Sequence, residues 1–167
     1  PELLGDDPKP RITIAADPDN KQLSVEDNGI GMSRDEMAEA LGTIARSGTR
    51  AFMERVEAGK AAEDTQLIGQ FCVGVYSAFM VASSVEVLSR KAESGEAWRW
   101  RSDGQGSFTV EPAPSEPAPK RGTRVILKLT EEGKTYAEPA TIERIAPRLE
   151  GNVCIDVLTN PGRRIRC

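Results

Sequence analysis

Apolar and polar residues alternate through RITIAAD (11–17) and QLSVED (22–27), with Pro18-Asp19-Asn20 between them, which predicts a hairpin of two half-buried strands. Beyond it the period changes. Ser33 is placed as a helix N-cap with Glu36 three residues on, and Met37, Ala40, Leu41 and Ile44 recur at helical spacing. Gly42, Gly48 and Gly59 are expected to break up the polar stretch after Leu41, with a short helix over RAFMERVEAG (50–59). The apolar run LIGQFCVGVYSAFMVAS (67–83) predicts a buried helix beginning near Val73.

Alternation then returns. SVEVLSR (84–90), AWRWRS (97–102) and SFTVEP (107–112) read as strands, with turns at Gly95 and Asp103-Gly104. PAPSEPAPKRG (112–122) is Pro-rich and reads as a loop, and TRVILKL (123–129) has the strongest strand pattern in the chain. A helix near 139–149 and a strand VCIDVL (153–158) complete the pattern. Strands arrive in runs joined by short turns. The expected fold is therefore α+β: a two-layer sandwich of a mixed, mostly antiparallel sheet with helices on one face. Doubly wound parallel folds need a strand–helix alternation that is absent.

Composition narrows the function classes. The 167 residues suit a single domain, and a net charge of −4 argues against a nucleic-acid binder driven by charge. The basic cluster GRRIRC at the end is expected to be a solvated tail. No apolar run is long enough to span a bilayer, so no membrane partner is expected. Three cysteines without metal-ligand spacing, and no histidine, argue against a zinc site and against His-based acid–base chemistry. A reducing cytoplasm is the simplest compartment for such a chain.

Candidate chemistry gathers at three glycine-bearing junctions: Asp27-x-Gly29-x-Gly31, Gly69-Gln70-Phe71-Cys72-Val73-Gly74, and Gly122-Thr123. Glycine there permits positive φ and lets a ligand approach bare backbone. A carboxylate at a strand end, Asp27, suits an exocyclic amine. The N–H groups where Gly69–Gly74 enters a helix suit phosphate, and Thr123 adds a hydroxyl at the same sheet edge. Each motif alone also reads as a plain turn, and Met32, Phe71 and Phe79 as plain core.

Taken in order, DNGIGM, LGTIARSGTRAFME, IGQFCVGVYSAFMVA, GSFTV and RGTRVILKL resemble the N-terminal nucleotide-binding domain of the Hsp90 family of molecular chaperones, of bacterial type, over nearly all of 10–150. That family belongs to the ATPase group of gyrase, histidine kinases and MutL. The resemblance implies that Asp27 accepts the adenine amino group, that Gly31 and Met32 line the base pocket, and that Thr123 reaches the base through a water. It implies a mobile lid over about 42–68, with Gly42, Arg46 and Ser47 near the nucleotide. Gly69, Gln70, Phe71, Cys72, Val73 and Gly74 would wrap the phosphates. The implied ligands are ATP or ADP with Mg²⁺, and the implied partners of the parent protein are client proteins and a second copy in a homodimer.

The resemblance also has gaps. The family's opening helix, with its general-base glutamate and magnesium-binding asparagine, has no counterpart in this sequence, so no catalytic residue is expected here and the chain reads as an N-terminally truncated domain. Cys72 stands where the family has glycine, Val75 where it has an aromatic, and Ala40 where many members have a polar residue; 151–167 matches poorly. An ATP-binding chaperone domain that couples slow hydrolysis to lid closure is therefore weighed against two alternatives. One is a catalytically incompetent fragment of the same fold, and the other is another ATPase of the group.

Overall fold

A computed structural model describes residues 9–46, 73–145, 154–159 and 163–166. They form one eight-stranded sheet: β1 (Arg11–Asp17), β2 (Gln22–Asp27), β3 (Ala82–Arg90), β4 (Ala97–Ser102), β5 (Phe108–Pro112), β6 (Gly122–Leu129), β7 (Cys154–Thr159) and β8 (Arg163–Arg166). The strand order is β5-β4-β3-β6-β2-β1-β7-β8. Every pairing is antiparallel except β1 with β7, so the sheet is mixed and mostly antiparallel, as expected.

Strand alternation sorts the two faces. Ile14, Val25, Val125, Val87 and Trp100 form one row across the sheet, and Ala16, Leu23, Leu127 and Val85 the next. These rows face the helices α1 (Arg34–Arg46), α2 (Val73–Val81) and α3 (Pro139–Ile145), with a 3₁₀ turn at Gly133–Ala137. Met37 and Leu41 of α1 join Val85, Val87, Trp100, Leu127 and Leu129 in the main core, with Trp100 stacked on Phe108 at 6.1 Å. Ile142 of α3 closes a smaller core with Ala16 and Val157.

The opposite face carries charge. Arg101 donates to Glu86 at 2.6 Å, Arg99 lies 3.5 Å from Glu86 and 3.4 Å from Glu111, and Arg124 pairs with Glu26. The Pro-rich loop runs along this side. Arg90 donates to the carbonyls of Pro119 at 3.0 Å and Gly95 at 2.7 Å, and Arg124 to that of Pro117 at 2.7 Å. Two arginines therefore hold by its carbonyls a loop whose prolines lack N–H donors.

Three expectations need correction. Gly42 does not break the helix: α1 runs through it to Arg46. A Cβ there would sit 2.8 Å from Cζ of Phe108, so the glycine lets the helix approach β5, which offsets its poor helix propensity. The second correction concerns α2, which starts at Val73 as predicted but is not buried all round. Ala78, Phe79 and Val81 pack on the core, whereas Met80 is 60% exposed and Ser77 faces out, because a helix on a single sheet buries only one side. The third is the basic tail, whose residues Arg163–Arg166 form β8 and pair antiparallel with β7, Val157 opposite Ile165. The segment expected as a helix at 50–59 lies outside the described residues.

Candidate functional site

At one end of the sheet the row after Trp100–Val87–Val125–Val25 changes character. Ser89 of β3 pairs with Thr123 of β6, and Thr123 with Asp27 of β2, on the same helix-facing side. Three polar residues thus stand abreast where preceding rows are apolar. Burial without partners would be costly, and the contacts show how it is met. Ser89 is fully buried; its hydroxyl lies 3.0 Å from the Gly122 carbonyl and 2.9 Å from Thr123 Oγ1, and it receives the Met32 N–H at 2.8 Å. Asp27, half-buried, accepts the Gly29 N–H on Oδ1 at 2.7 Å.

Two glycines permit this convergence. Gly31 has φ +66°, and a Cβ on it would lie 2.0 Å from the Arg90 carbonyl oxygen. Gly122 has φ +98°, and a Cβ there would lie 2.2 Å from the Asp27 carbonyl oxygen. Both positions demand glycine by conformation and by space. The neighbouring Asn28 is a fastener: its Oδ1 receives the Arg11 N–H at 2.8 Å and its Nδ2 donates to the Lys9 carbonyl at 2.9 Å.

The loop from Asp27 to α1 is stitched to the end of β3. Ala92 N–H donates to the Ile30 carbonyl at 2.7 Å, directly after the Ser89–Met32 bond. At the helix start the capping box forms as predicted, Glu36 accepting the Ser33 N–H at 2.8 Å and Ser33 Oγ the Glu36 N–H at 3.4 Å. Lys91 donates to Glu36 at 2.5 Å. That lysine, then the Ser33 backbone and hydroxyl, lower the Glu36 carboxyl to about 2.

Among the predicted residues, the structure brings together Asp27, Gly31, Met32 and Thr123. Met32 does double duty, its side chain packing against the main core and its N–H fixed to Ser89. Gly42 lies instead at the α1–β5 contact. Arg46 ends α1, and Val73 and Gly74 open α2, as backbone positions. Ser47, Gly69, Gln70, Phe71 and Cys72, and most of the expected lid, lie outside the described residues. Phe79 is core, packed beside Gly104. Sequence reasoning misses Ser89. Its signal is the phase of β3, where Val85 and Val87 put a serine at the third inward position.

Among the described residues no group of three His, Cys, Asp or Glu side chains is placed to hold a metal ion, and no helix is long and apolar enough to cross a membrane. Chemically, the site offers a carboxylate and a hydroxyl side by side, both half-buried, at a sheet end that two glycines allow to close tightly.

Comparison with known proteins places the chain in a family. The model of the histidine kinase-, DNA gyrase B- and HSP90-like ATPase family matches residues 9–120. The chain is 62% identical to the chaperone protein HtpG of Mesorhizobium japonicum over 168 aligned positions, 99% of this chain and 26% of that protein. It is 56% identical to that of Rhizobium meliloti over 97% of this chain and 26% of that one, and 58% identical to that of Azorhizobium caulinodans over 94% and 25%. The chain thus spans about a quarter of the length of these curated relatives. The chain belongs to the histidine kinase-, DNA gyrase B- and HSP90-like ATPase family.

Proposed function

From that membership we propose that the chain is the adenine-nucleotide-binding domain of an Hsp90-type molecular chaperone, with Asp27 as the residue that recognises the base. The observation that carries the reading is the polar row Ser89–Thr123–Asp27 at the end of an otherwise apolar sheet face. Asp27 Oδ1 is engaged by Gly29, which orients the carboxylate and leaves Oδ2 for an amino group. Thr123 stands beside it, able to hold a water against the ring. Gly31 lets the loop after Asp27 close against the Arg90 carbonyl and so holds that loop beside the carboxylate.

Phosphate binding is assigned to the N-terminal end of α2, where free N–H groups favour negative charge. Mg²⁺ would arrive with the phosphates. No described residue is assigned as its ligand or as a general base, so the proposal is one of nucleotide binding and not of a hydrolytic step. Chaperone action is proposed from the relatives' names, and its exercise on client proteins, as a dimer and in the cytoplasm, from the resemblance to the Hsp90 family; it belongs to a longer protein, of which this chain spans about a quarter.

The test is selectivity. Titrating the chain with ADP and with inosine diphosphate, which exchanges the 6-amino donor for a carbonyl acceptor, should show binding of ADP and at least about 10²-fold weaker binding of the inosine nucleotide, since a site built to accept from an N–H penalises its absence. Equal affinity for the two would remove Asp27 from base recognition.

A further inference from the structure

Ser89 lies beneath the proposed base site and touches neither solvent nor, in the proposed arrangement, the ligand. We infer that Ser89 is a positioning residue that fixes Thr123 Oγ1 as a hydrogen-bond acceptor toward the ligand, so that Thr123 and Asp27 together select a donor such as a 6-amino group or a water bridging to one. This rests on the nucleotide-site reading above and adds to it a reason why the threonine has a defined polarity.

A hydroxyl has one hydrogen to give and two lone pairs to receive with. Three contacts converge on Ser89 Oγ: the Met32 N–H at 2.8 Å, the Gly122 carbonyl at 3.0 Å and Thr123 Oγ1 at 2.9 Å. The Met32 N–H only donates and the Gly122 carbonyl only accepts. One assignment meets all three: Ser89 donates to Gly122 and receives from Met32 and from Thr123. The reverse, with Ser89 donating to Thr123, removes its donation to the Gly122 carbonyl in a place water does not reach. Thr123 therefore spends its only hydrogen on Ser89, and its lone pairs remain for the pocket.

The neighbouring group in the row is also an acceptor. Asp27 already holds the Gly29 N–H, and as a carboxylate it can only receive. Two acceptors abreast leave an incoming carbonyl without a partner. Ser89 thus contributes to specificity without contact, by withholding from Thr123 the freedom to rotate and donate.

The experiment is a double-mutant cycle in the full 167-residue chain, read by calorimetric titration with ADP and inosine diphosphate after circular dichroism confirms folding. Ser89→Ala should weaken ADP about tenfold and narrow the ADP-to-inosine-diphosphate ratio by a similar factor. Thr123→Val, which keeps shape and removes the hydroxyl, should do the same. The double variant should bind no worse than Thr123→Val alone, because Ser89 acts through Thr123, and Ser89→Thr should recover binding. Unchanged ADP affinity or ratio in Ser89→Ala, or losses that add in the double variant, would overturn the inference. If Ser89→Ala unfolds, Ser89→Cys, whose thiol is a weak donor, takes its place with the same two expectations. Asp27→Asn separates the two levels. If it abolishes ADP binding while Ser89→Ala does not weaken it, only the positioning role falls; if Asp27→Asn is silent, or the folded parent binds no ADP, the site reading falls and the inference with it.

Discussion

Replacing Gly122 by alanine probes the junction on which the site depends. Its φ of +98° is outside the regions that a Cβ tolerates, a cost of about 1–3 kcal/mol. The added Cβ would also lie 2.2 Å from the Asp27 carbonyl oxygen and 3.0 Å from the Asn28 Cα, both backbone. A carbon–oxygen contact settles near ~3.3 Å, so the end of β2 must retreat by about 1 Å, against the pairing of Asp27 with Thr123. Strain and lost pairing together should cost at least about 3 kcal/mol, a large part of a typical domain stability of ~5–15 kcal/mol. With a urea slope of about 2 kcal/mol per molar, the unfolding midpoint should fall by about 1.5 M. Gly95→Ala is the internal control, since it has no heavy atom within 4 Å of the new Cβ and no positive φ; its midpoint should stay put or rise slightly. A Gly122→Ala protein within about 0.5 kcal/mol of the parent would refute the close approach of β6 to the Asp27 junction.

Other consequences concern the helix start and the Pro-rich loop. The Glu36 carboxyl is depressed to about 2 from its ordinary 4.5, so the stability it contributes is present above about 4.5 and is lost as pH falls through about 2; Glu36→Gln should flatten that part of the acid limb in urea melts taken at successive pH values. Ser33→Ala removes the other half of the capping box and should cost about 1 kcal/mol by the same melts, with the far-UV spectrum unchanged. Arg90→Ala frees the carbonyls of Gly95 and Pro119, and amide exchange should quicken in the β3–β4 turn and in the loop before Gly122, with little change elsewhere.

Much of this fold is written in local pattern. The hairpin Arg11–Asp17 with Gln22–Asp27 is legible because period-two alternation and a Pro-Asp-Asn turn agree, and the capping box because its two residues lie three apart. Features that escape reading depend on partners far along the chain. Gly42 looks like a helix breaker, and only the Phe108 ring, 66 residues on, explains it. The exposure of Met80 comes from α2 lying on a single sheet layer, which composition does not reveal. The Arg-rich end looks like a tail because four residues carry too little alternation to declare a strand without their partner β7.

The site divides the same way. Asp27, Gly31 and Thr123 are readable as residue types at strand ends, since carboxylate, glycine and hydroxyl each announce a chemistry. Ser89 is not, because a serine late in a strand is ordinary until register sets it between Trp98 and Thr123 on the buried side. Position within the sheet, not identity, gives it weight.

Everything proposed for the site depends on Asp27 holding an adenine ring. Calorimetric titration of the chain and of Asp27→Asn with ADP and magnesium, both proteins shown to be folded by circular dichroism, decides the matter. Binding on the order of micromolar in the parent, absent in Asp27→Asn, is the expected result. Equal binding by both, or a folded parent that binds no ADP, would contradict the assignment.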